Sequence, residues 1–311
     1  MTGVPSRADI RTIHHLIRPY IRRTPCLTVA AGDLVGHPLC LKLEHLQHAG
    51  SFKARGAFAA LTTLPVPAAG VIAASGGNHG IAVATAARRL GHRAQIFVPA
   101  LTSAAKLARL VATGAEVVQG GASYAEALAA CTAAQQSSGA LSIHAYDQTE
   151  TLAGQGTLAL EWQEQAPDLD TLIIAVGGGG LIGGALAWHQ GATRIIAVEP
   201  EGCPTLHHAL AAGAPTDVSV GGIAADALGA KRIGSLMFPL AQAHLSAAVL
   251  VPDQAILAAQ QMIWARLQLA AEPAAATALA ALITGAYRPR AGERVGVLLC
   301  GGNLDPAGLT A

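Results

Sequence analysis

Short apolar, often β-branched segments alternate with longer alanine-rich segments along most of the chain. The predicted strands are Val71–Ala74, Ala94–Val98, Glu116–Val118, Leu172–Val176, Arg194–Val198 and Val295–Leu299. The predicted helices, which follow most of these strands, are Asn78–Leu90, Ser103–Thr113, Ser123–Ser138, Thr149–Glu164, Ile182–His189, Asp253–Leu267 and Pro273–Tyr287. This alternation is typical of α/β proteins, in which helices cross over between the strands of parallel sheets.

Four glycine-containing loops come directly after predicted strands. They are Ser-Gly-Gly-Asn-His-Gly at 75–80, four glycines at 177–180, Pro-Glu-Gly at 200–202 and Cys-Gly-Gly-Asn at 300–303. Open parallel sheets bind their ligands at the carboxyl ends of the strands. We therefore expect these loops to meet at one edge of the sheet system and to form the binding site.

The composition indicates a globular protein with a large core. The chain has 311 residues, of which 52% are hydrophobic and only 13% charged, enough for two domains. The net charge is +1 and the longest basic run is the Arg22-Arg23 pair, so we expect neither nucleic acid nor an anionic membrane as a partner. The five cysteines are scattered without CxxC spacing, which argues against a zinc site or a disulfide framework.

No segment has the pattern of a signal peptide or a membrane span. The N-terminal sequence lacks a long apolar run after a basic start. The most apolar window, Leu172–Trp188, contains six glycines and is too short to cross a bilayer. We therefore expect a cytoplasmic protein.

Lys53 is one of only four lysines and has an unusual position. Residues 38–44 alternate like a strand, and residues 54–64 are alanine-rich and predict a helix. Ser51 is well placed to cap this helix, which would put Lys53 in its first turn. An ammonium is disfavoured there by the helix dipole, and a lowered amine pKa is what Schiff-base chemistry requires.

The second loop consists of Gly177, Gly178, Gly179 and Gly180. Its backbone amides can approach an anion closely, and the following helix N-terminus adds a favourable dipole. Residues 178–183 also satisfy the GxGxxG pattern, and Glu199 ends the next strand, as in dinucleotide-binding domains. A nicotinamide-linked dehydrogenase is therefore an alternative, although it explains neither Lys53 nor the other loops.

The first loop consists of Ser75, Gly76, Gly77, Asn78, His79 and Gly80. Its amides and the Ser75 hydroxyl could hold a carboxylate at a helix N-terminus, and Asn78 could donate to a phenolate-type oxygen. We interpret His79 as structural rather than as a base. Cys300 is either a buried core thiol or a neutral hydrogen-bonding group beneath a heteroaromatic ring.

Together these segments resemble the fold-type II pyridoxal-phosphate enzymes, in the group of serine/threonine dehydratases and serine racemases. The matching stretches, in the family's order, are 42–58 (KLEHLQHAGSFKARGAF), 74–87, 143–161, 176–184 (VGGGGLIGG), 197–202, 271–273 and 299–305 (LCGGNLD). The resemblance implies a tryptophan synthase β-like fold with two open, twisted parallel-sheet domains and flanking helices. Residues 1–65 and 144–311 would form the large cofactor-binding domain, and residues 66–143 a small mobile domain.

The resemblance also implies a role for individual residues. Lys53 would bind pyridoxal 5'-phosphate as a Schiff base, with Phe52 beside the ring and Asn78 bonded to its 3'-oxygen. Cys300 would face the pyridine nitrogen. The phosphate would be held by Gly177, Gly178, Gly179 and Gly180, and the substrate carboxylate by Ser75, Gly76, Gly77, Asn78 and His79. Gly222, Glu272 and Gly301 complete the expected cofactor site.

The chain departs from the family pattern at two places. Racemases of this group carry a second serine, the base on the opposite face of the ring, where this chain has Gly76. Some relatives bind a divalent cation through a glutamate, a carbonyl and an aspartate. Glu199 and the Cys203 carbonyl match that set, but Thr205 replaces the aspartate. We therefore prefer a structural interpretation of Glu199, and leave open whether a divalent or monovalent cation binds.

The resemblance predicts a dehydratase that converts β-hydroxy amino acids, above all L-threonine and L-serine, to 2-oxo acids and ammonia. Other β-substituted substrates such as 3-hydroxyaspartate or a phenylserine, serine racemisation, and a non-enzymatic cofactor-binding protein are the alternatives. We expect a homodimer. Because the chain stops soon after the loop at 300–303, we expect no C-terminal regulatory domain.

Overall fold

The computed structural model describes residues 3–305 and residue 309. The strands within this part of the chain form two separate sheets. The six-stranded sheet has the order β1-β2-β10-β7-β8-β9. Its strands are β1 (Cys26–Val29), β2 (Leu39–Leu43), β7 (Thr171–Ala175), β8 (Arg194–Pro200), β9 (Ala247–Val251) and β10 (Val295–Leu299). All neighbours in this sheet are parallel except the edge pair β1 and β2.

The four-stranded sheet is parallel throughout and has the order β5-β4-β3-β6. Its strands are β3 (Val71–Ala74), β4 (Ala94–Val98), β5 (Glu116–Gln119) and β6 (Leu141–Ser142). The four-stranded sheet lies within the segment expected for the small domain, and the six-stranded sheet within the segments expected for the large domain. The exact boundaries stay a prediction, and the outermost residues of the expected large domain, 1–2, 306–308 and 310–311, lie outside the described residues.

Helices cover the sheets and supply most of the core. They are α1 (Arg7–Ile17), α2 (Lys53–Thr63), α3 (Asn78–Leu90), α4 (Ala104–Ala112), α5 (Tyr124–Ser138), α6 (Thr149–Gln165), α7 (Gly180–His189), α8 (Thr205–Ala212), α9 (Ala225–Leu228), α10 (Phe238–His244), α11 (Asp253–Leu267) and α12 (Pro273–Ile283). Two short 3₁₀ turns, Glu44–Leu46 and His48–Gly50, connect β2 to α2. The α/β fold class predicted from the sequence is thereby confirmed.

Helices α2, α6 and α7 pack with their backbones almost in contact, and this packing fixes the positions of α2 and α7. A Cβ at Gly154 would lie 2.6 Å from the carbonyl oxygen of Arg55, and one at Gly184 would lie 2.4 Å from the amide nitrogen of Gly156. Only glycine allows so close an approach. The starts of α2, with Lys53, and of α7 are therefore held rigidly relative to each other.

A buried ionic cluster ties the same region together. Arg55 bonds Glu44 at 2.7 Å and lies 3.0 Å from Glu161, which in turn accepts from Lys42 at 2.6 Å. The four residues are at most 1% exposed. Because buried charges are costly unless each has a partner, the cluster fixes the relative positions of β2, α2 and α6.

The structure corrects some local expectations. Ser51 does not cap α2: it is extended, with φ −161° and ψ 162°, and forms a β-bridge with Gly301, so Phe52 occupies the N-cap position. Helix α7 begins at Gly180 rather than at Ile182, and α12 ends at Ile283. The sequence pattern missed β1, β6, β9, α1, α8, α9 and α10, mostly because they are short or form an edge.

Candidate active site

Lys53 is the first residue of α2, and its amine is held by the backbone of a distant loop. Nζ donates a 2.7 Å hydrogen bond to the carbonyl oxygen of Ala145 and lies 5.1 Å from the centroid of the Phe52 ring. Burial lowers the pKa of Lys53 to about 8, although the nearby Cys300 and Glu272 act in the opposite direction. The lowered pKa expected from the helix dipole is therefore present, but desolvation is its main cause.

The end of β10 lies against the start of α2. Phe52 donates its amide to the carbonyl oxygen of Cys300 at 3.0 Å, and Gly302 donates to that of Gly50 at 2.9 Å. The Cys300 thiol is buried, and its pKa is raised by burial and by the Glu272 carboxyl. Lys53 and Cys300 thus lie close together, and the thiol is neutral at physiological pH.

The four-glycine loop is packed too tightly for any side chain. A Cβ at Gly178 would lie 2.3 Å from Cδ1 of Tyr146, one at Gly177 would lie 2.8 Å from Cα of Leu228, and Gly179 has φ +89°. The amides of residues 178–180 donate no hydrogen bond within the described part of the chain. Close packing therefore demands the glycines, and it leaves free N–H groups at the start of α7 that suit an anion such as a phosphate.

The loop at 75–80 follows β3 and leads into α3. The Ser75 hydroxyl accepts from the amide of Gly77 at 3.3 Å, and a Cβ at Gly80 would lie 2.0 Å from the Ser75 carbonyl oxygen. His79 is buried, and its Nε2 bonds the carbonyl oxygen of Ile143 at 2.8 Å. Burial lowers the pKa of His79 to about 3, so the ring is neutral and engaged with the backbone. These contacts support the structural interpretation of His79.

A polar network joins α3, α12 and the loop after β10. Asn78 donates to Oε1 of Glu272 at 2.7 Å, and Asn303 donates to Oδ1 of Asn78 at 2.7 Å. A Cβ at Gly301 would lie 2.1 Å from the same Glu272 oxygen. Burial raises the pKa of Glu272 to about 7. Three of the residues expected around the cofactor, Asn78, Glu272 and Gly301, are therefore in mutual contact.

Gly222 lies in a loop that packs against the start of α11. Its φ is +90°, and a Cβ there would lie 2.6 Å from Oδ2 of Asp253. Helix α9, which follows this loop, carries Asp226, which forms an ion pair with Lys106 of α4. The contacts of Gly222 itself are thus structural, and its expected place beside the cofactor stays a prediction.

Glu199 caps a helix. Its two carboxylate oxygens accept from the amides of Leu206 at 2.7 Å and His207 at 2.8 Å, at the start of α8. The Thr205 hydroxyl donates to the carbonyl oxygen of Ala230 at 2.7 Å, and the Cys203 thiol donates to that of Gly221 at 3.2 Å. These bonds support the structural interpretation of Glu199. Residues 3–305 and 309 contain no group of three or more His, Cys, Asp or Glu side chains suited to a metal.

Sequence reasoning included the loop between β6 and α6, residues 143–148, in a matching stretch but predicted no site role for it. It supplies the Ala145 carbonyl for Lys53 and places the Tyr146 ring against the four-glycine loop. His144 Nδ1 accepts from the amides of Tyr146 and Asp147, which leaves the ring proton on Nε2. The sequence indicated this loop only weakly, because the strand before it, β6, has two residues and is too short to show an alternating pattern.

The helices of the described residues include none that is both long and apolar enough to cross a membrane.

Comparisons with known proteins agree with this geometry. Residues 17–301 match the family model described as pyridoxal-phosphate dependent enzyme. The chain is 37% identical to a phenylserine dehydratase of Ralstonia pickettii, over 98% of this chain and 95% of that protein. It is also 37% identical to an L-threonine ammonia-lyase of Geobacter sulfurreducens, over 93% of this chain and 73% of that protein.

The structure of maize serine racemase superposes with a TM-score of 0.93 at 33% identity, over 99% of this chain and 96% of that one. The resemblance found in the sequence is thus confirmed, and the alternative of a nicotinamide dinucleotide cofactor is discarded. The chain belongs to the fold-type II family of pyridoxal-phosphate-dependent enzymes.

Proposed function

We propose that the protein is a dehydratase that converts β-hydroxy amino acids, including L-threonine and L-serine, to 2-oxo acids and ammonia. Its relatives include both dehydratases and racemases, so the family alone does not choose between the two reactions. The observation that carries the proposal is the presence of a base at Lys53 and a glycine at position 76, where a second base would stand.

The residues present fit the cofactor. The free amides of residues 178–180 would hold its phosphate, the Lys53 amine would bind it covalently, and the neutral Cys300 thiol would lie at its ring nitrogen. Pyridoxal phosphate, once bound, supplies an electron sink that acidifies the Cα–H bond of the substrate. The neutral Cys300 thiol would not keep a proton on the ring nitrogen as a carboxylate would, so we expect elimination rather than transamination.

The side chains of the site divide the remaining work. The amides at the start of α3 would hold the substrate carboxylate, with the favourable end of the helix dipole behind them. Lys53, released when the substrate amine takes its place, would remove the Cα proton. Its pKa of about 8 leaves a useful fraction neutral near physiological pH. The Ala145 carbonyl would orient the amine for this transfer.

The proposal that the opposite face lacks a comparable base rests on Gly76, which has no side chain to take or give a proton. A Cβ at Gly76 would lie 3.4 Å from Cγ2 of Thr102, so the Thr102 side chain packs beside the position of the missing serine. His79 is neutral and bonded to the backbone. Because inversion at Cα needs proton delivery from both faces, we propose that elimination exceeds racemisation by a wide margin.

A phenylserine is a second candidate substrate. The phenylserine dehydratase of Ralstonia pickettii matches this chain over nearly the full length of both proteins. 3-Hydroxyaspartate is less favoured, because a second carboxylate needs a free cation. Lys106 is paired with Asp226, and Arg109 donates to the carbonyl oxygen of Leu304 at 2.6 Å.

The test is a substrate screen of the purified holoenzyme. L-Threonine, L-serine, threo-phenylserine and 3-hydroxyaspartate are each followed by 2-oxo-acid and ammonia release, and serine also by chiral chromatography. Lys53→Ala is the control, and we expect it to lose both turnover and the borohydride-reducible bond to the cofactor. D-Serine formation as fast as pyruvate formation would overturn the dehydratase proposal. The homodimer and the cytoplasmic location stay predictions, to be tested by light scattering and cell fractionation.

A further inference from the structure

Two bulky apolar side chains protrude from loops that follow neighbouring strands of the four-stranded sheet. Leu101, in the loop after β4, is 86% exposed, and Tyr124, directly after the loop that follows β5, is 57% exposed. Both positions lie at the carboxyl edge of the sheet, where parallel sheets bind their ligands. Leu101 gains no stability from burial in this structure, and its position at the carboxyl edge leaves it free to contact a ligand.

These loops adjoin the one that would hold the substrate carboxylate. The amide of Ala100 donates to the carbonyl oxygen of Gly121 at 2.8 Å, which joins the loops after β4 and β5. A Cβ at Gly76 would be in van der Waals contact with Thr102, the neighbour of Leu101. Leu101 is therefore one residue away from the wall beside the carboxylate loop.

Tyr146 completes the apolar surface on the side of the four-glycine loop. Its ring lies against Gly178, and its hydroxyl donates to the carbonyl oxygen of Arg232 at 3.2 Å. Burial raises the pKa of the Tyr146 hydroxyl, and the Tyr124 hydroxyl adds to the rise. Since the preceding Ala145 accepts the hydrogen bond from Lys53, Tyr146 is next to both the four-glycine loop and the residue that holds the reacting amine.

The charged groups nearby leave this surface apolar. Lys106 of α4 and Asp226 of α9 form an ion pair and neutralise each other, and Ile223, 44% exposed in the loop before α9, adds a further aliphatic side chain. An aromatic substituent can pack against leucine and isoleucine and can meet a tyrosine ring edge-to-face. A methyl group or a hydrogen, the β-substituents of threonine and serine, would leave most of these contacts unmade.

We propose that Leu101, Tyr124 and Tyr146 form the pocket for the β-substituent, and that the enzyme prefers β-hydroxy amino acids with an aryl group there. This inference rests on the proposed function and narrows the expectation of L-threonine and L-serine. One extra small apolar group on a substrate changes kcat/KM by about 10- to 200-fold when a hydrophobic pocket binds it. We therefore expect kcat/KM for threo-phenylserine to exceed that for L-threonine by at least about tenfold.

The experiment compares the ratio of these two kcat/KM values among holoenzyme variants. Leu101→Ser and Tyr124→Ser should each lower the ratio by about tenfold, because kcat/KM for threo-phenylserine falls. The kcat/KM for L-threonine should change by less than about threefold. Tyr124→Phe should keep the ratio, because the ring remains. Val111→Ser is the matched control: Val111 is 61% exposed on α4 but outside these loops, so the ratio should not change. Cofactor absorbance and thermal melting verify that each variant is folded and loaded.

The outcomes separate the two levels of the proposal. A lowered ratio in the two serine variants, with none in the control, supports the pocket. Turnover with an unchanged ratio, or a wild-type preference for L-threonine, overturns the pocket but leaves the dehydratase intact. Absence of 2-oxo acid from every substrate overturns the proposed function itself.

Discussion

The pH dependence of cofactor attachment offers a sharp test of the environment of Lys53. Only the neutral amine adds to an aldehyde. The pKa of Lys53 is lowered to about 8 by burial, against about 10.4 for an ordinary lysine. At pH 7 the neutral fraction is therefore about a tenth instead of about one in 2,500, a gain of roughly 200-fold in the reactive form.

The assay mixes cofactor-free protein with excess pyridoxal phosphate between about pH 6 and pH 10 and traps the bond with borohydride. Because each pH unit below the pKa costs tenfold in neutral amine, the rate should rise about tenfold per unit and level off above about pH 8. Nα-acetyl-lysine, the matched free amine, should continue to rise to about pH 10. A protein rate that follows the free amine, without levelling off, would refute the argument.

A single substitution checks the sign of the electrostatic contribution. The Glu272 carboxylate raises the pKa of Lys53 and so opposes the effect of burial. Glu272→Gln removes that charge and keeps most of the shape. The midpoint of the attachment rate should therefore move to lower pH, and a shift to higher pH would show that Glu272 acts on Lys53 in another way.

Three further predictions concern the rest of the site and its support. Gly179→Asp should reduce cofactor retention after dialysis severely, because it strains a residue at φ +89° and puts a carboxylate beside a phosphate; equal occupancy would contradict the anion loop. Gly76→Ser should raise serine racemisation relative to pyruvate formation in a chiral assay, since Thr102 leaves room for the side chain; an unchanged ratio would count against the missing second base. Arg55→Met should cost about 3–5 kcal/mol in denaturant unfolding, because it leaves buried Glu44 and Glu161 short of a partner. Arg294→Met, which breaks exposed ion pairs with Asp170 and Asp168, should barely change the midpoint of denaturant unfolding. An equal loss of stability in both variants would show that the buried cluster contributes no more than an exposed ion pair.

Local patterns were sufficient to predict several buried elements to the residue. Strand β10 and helices α3 and α11 have the bounds that the sequence predicted, because periodic apolar positions and their limiting residues act within a few residues of each other. Short elements such as β6 and the edge strand β1 gave no such signal. Their pairing depends on neighbours elsewhere in the chain, Val71 and Ile72 for β6 and residues 39–42 for β1.

The case of Ser51 shows where local rules fail. By propensity, a serine directly before a helical segment is a good N-cap, and the sequence predicted this role for Ser51. The bridge to Gly301, some 250 residues away, holds Ser51 extended instead, and its hydroxyl is left without a hydrogen-bond partner among the described residues. A long-range backbone contact thus outweighed a local preference that contributes only about 1 kcal/mol.

The sequence by itself determined the α/β class and the loops that follow the strands, and it predicted Lys53, the glycines and Cys300 as the chemical groups of the site. Only the tertiary structure decided that burial is the main cause of the lowered pKa of Lys53, that Asn78 meets Glu272, and that Leu101 and Tyr124 stand exposed at the same edge. Desolvation and contacts between distant segments depend on how the chain packs, and no pattern within one segment encodes them.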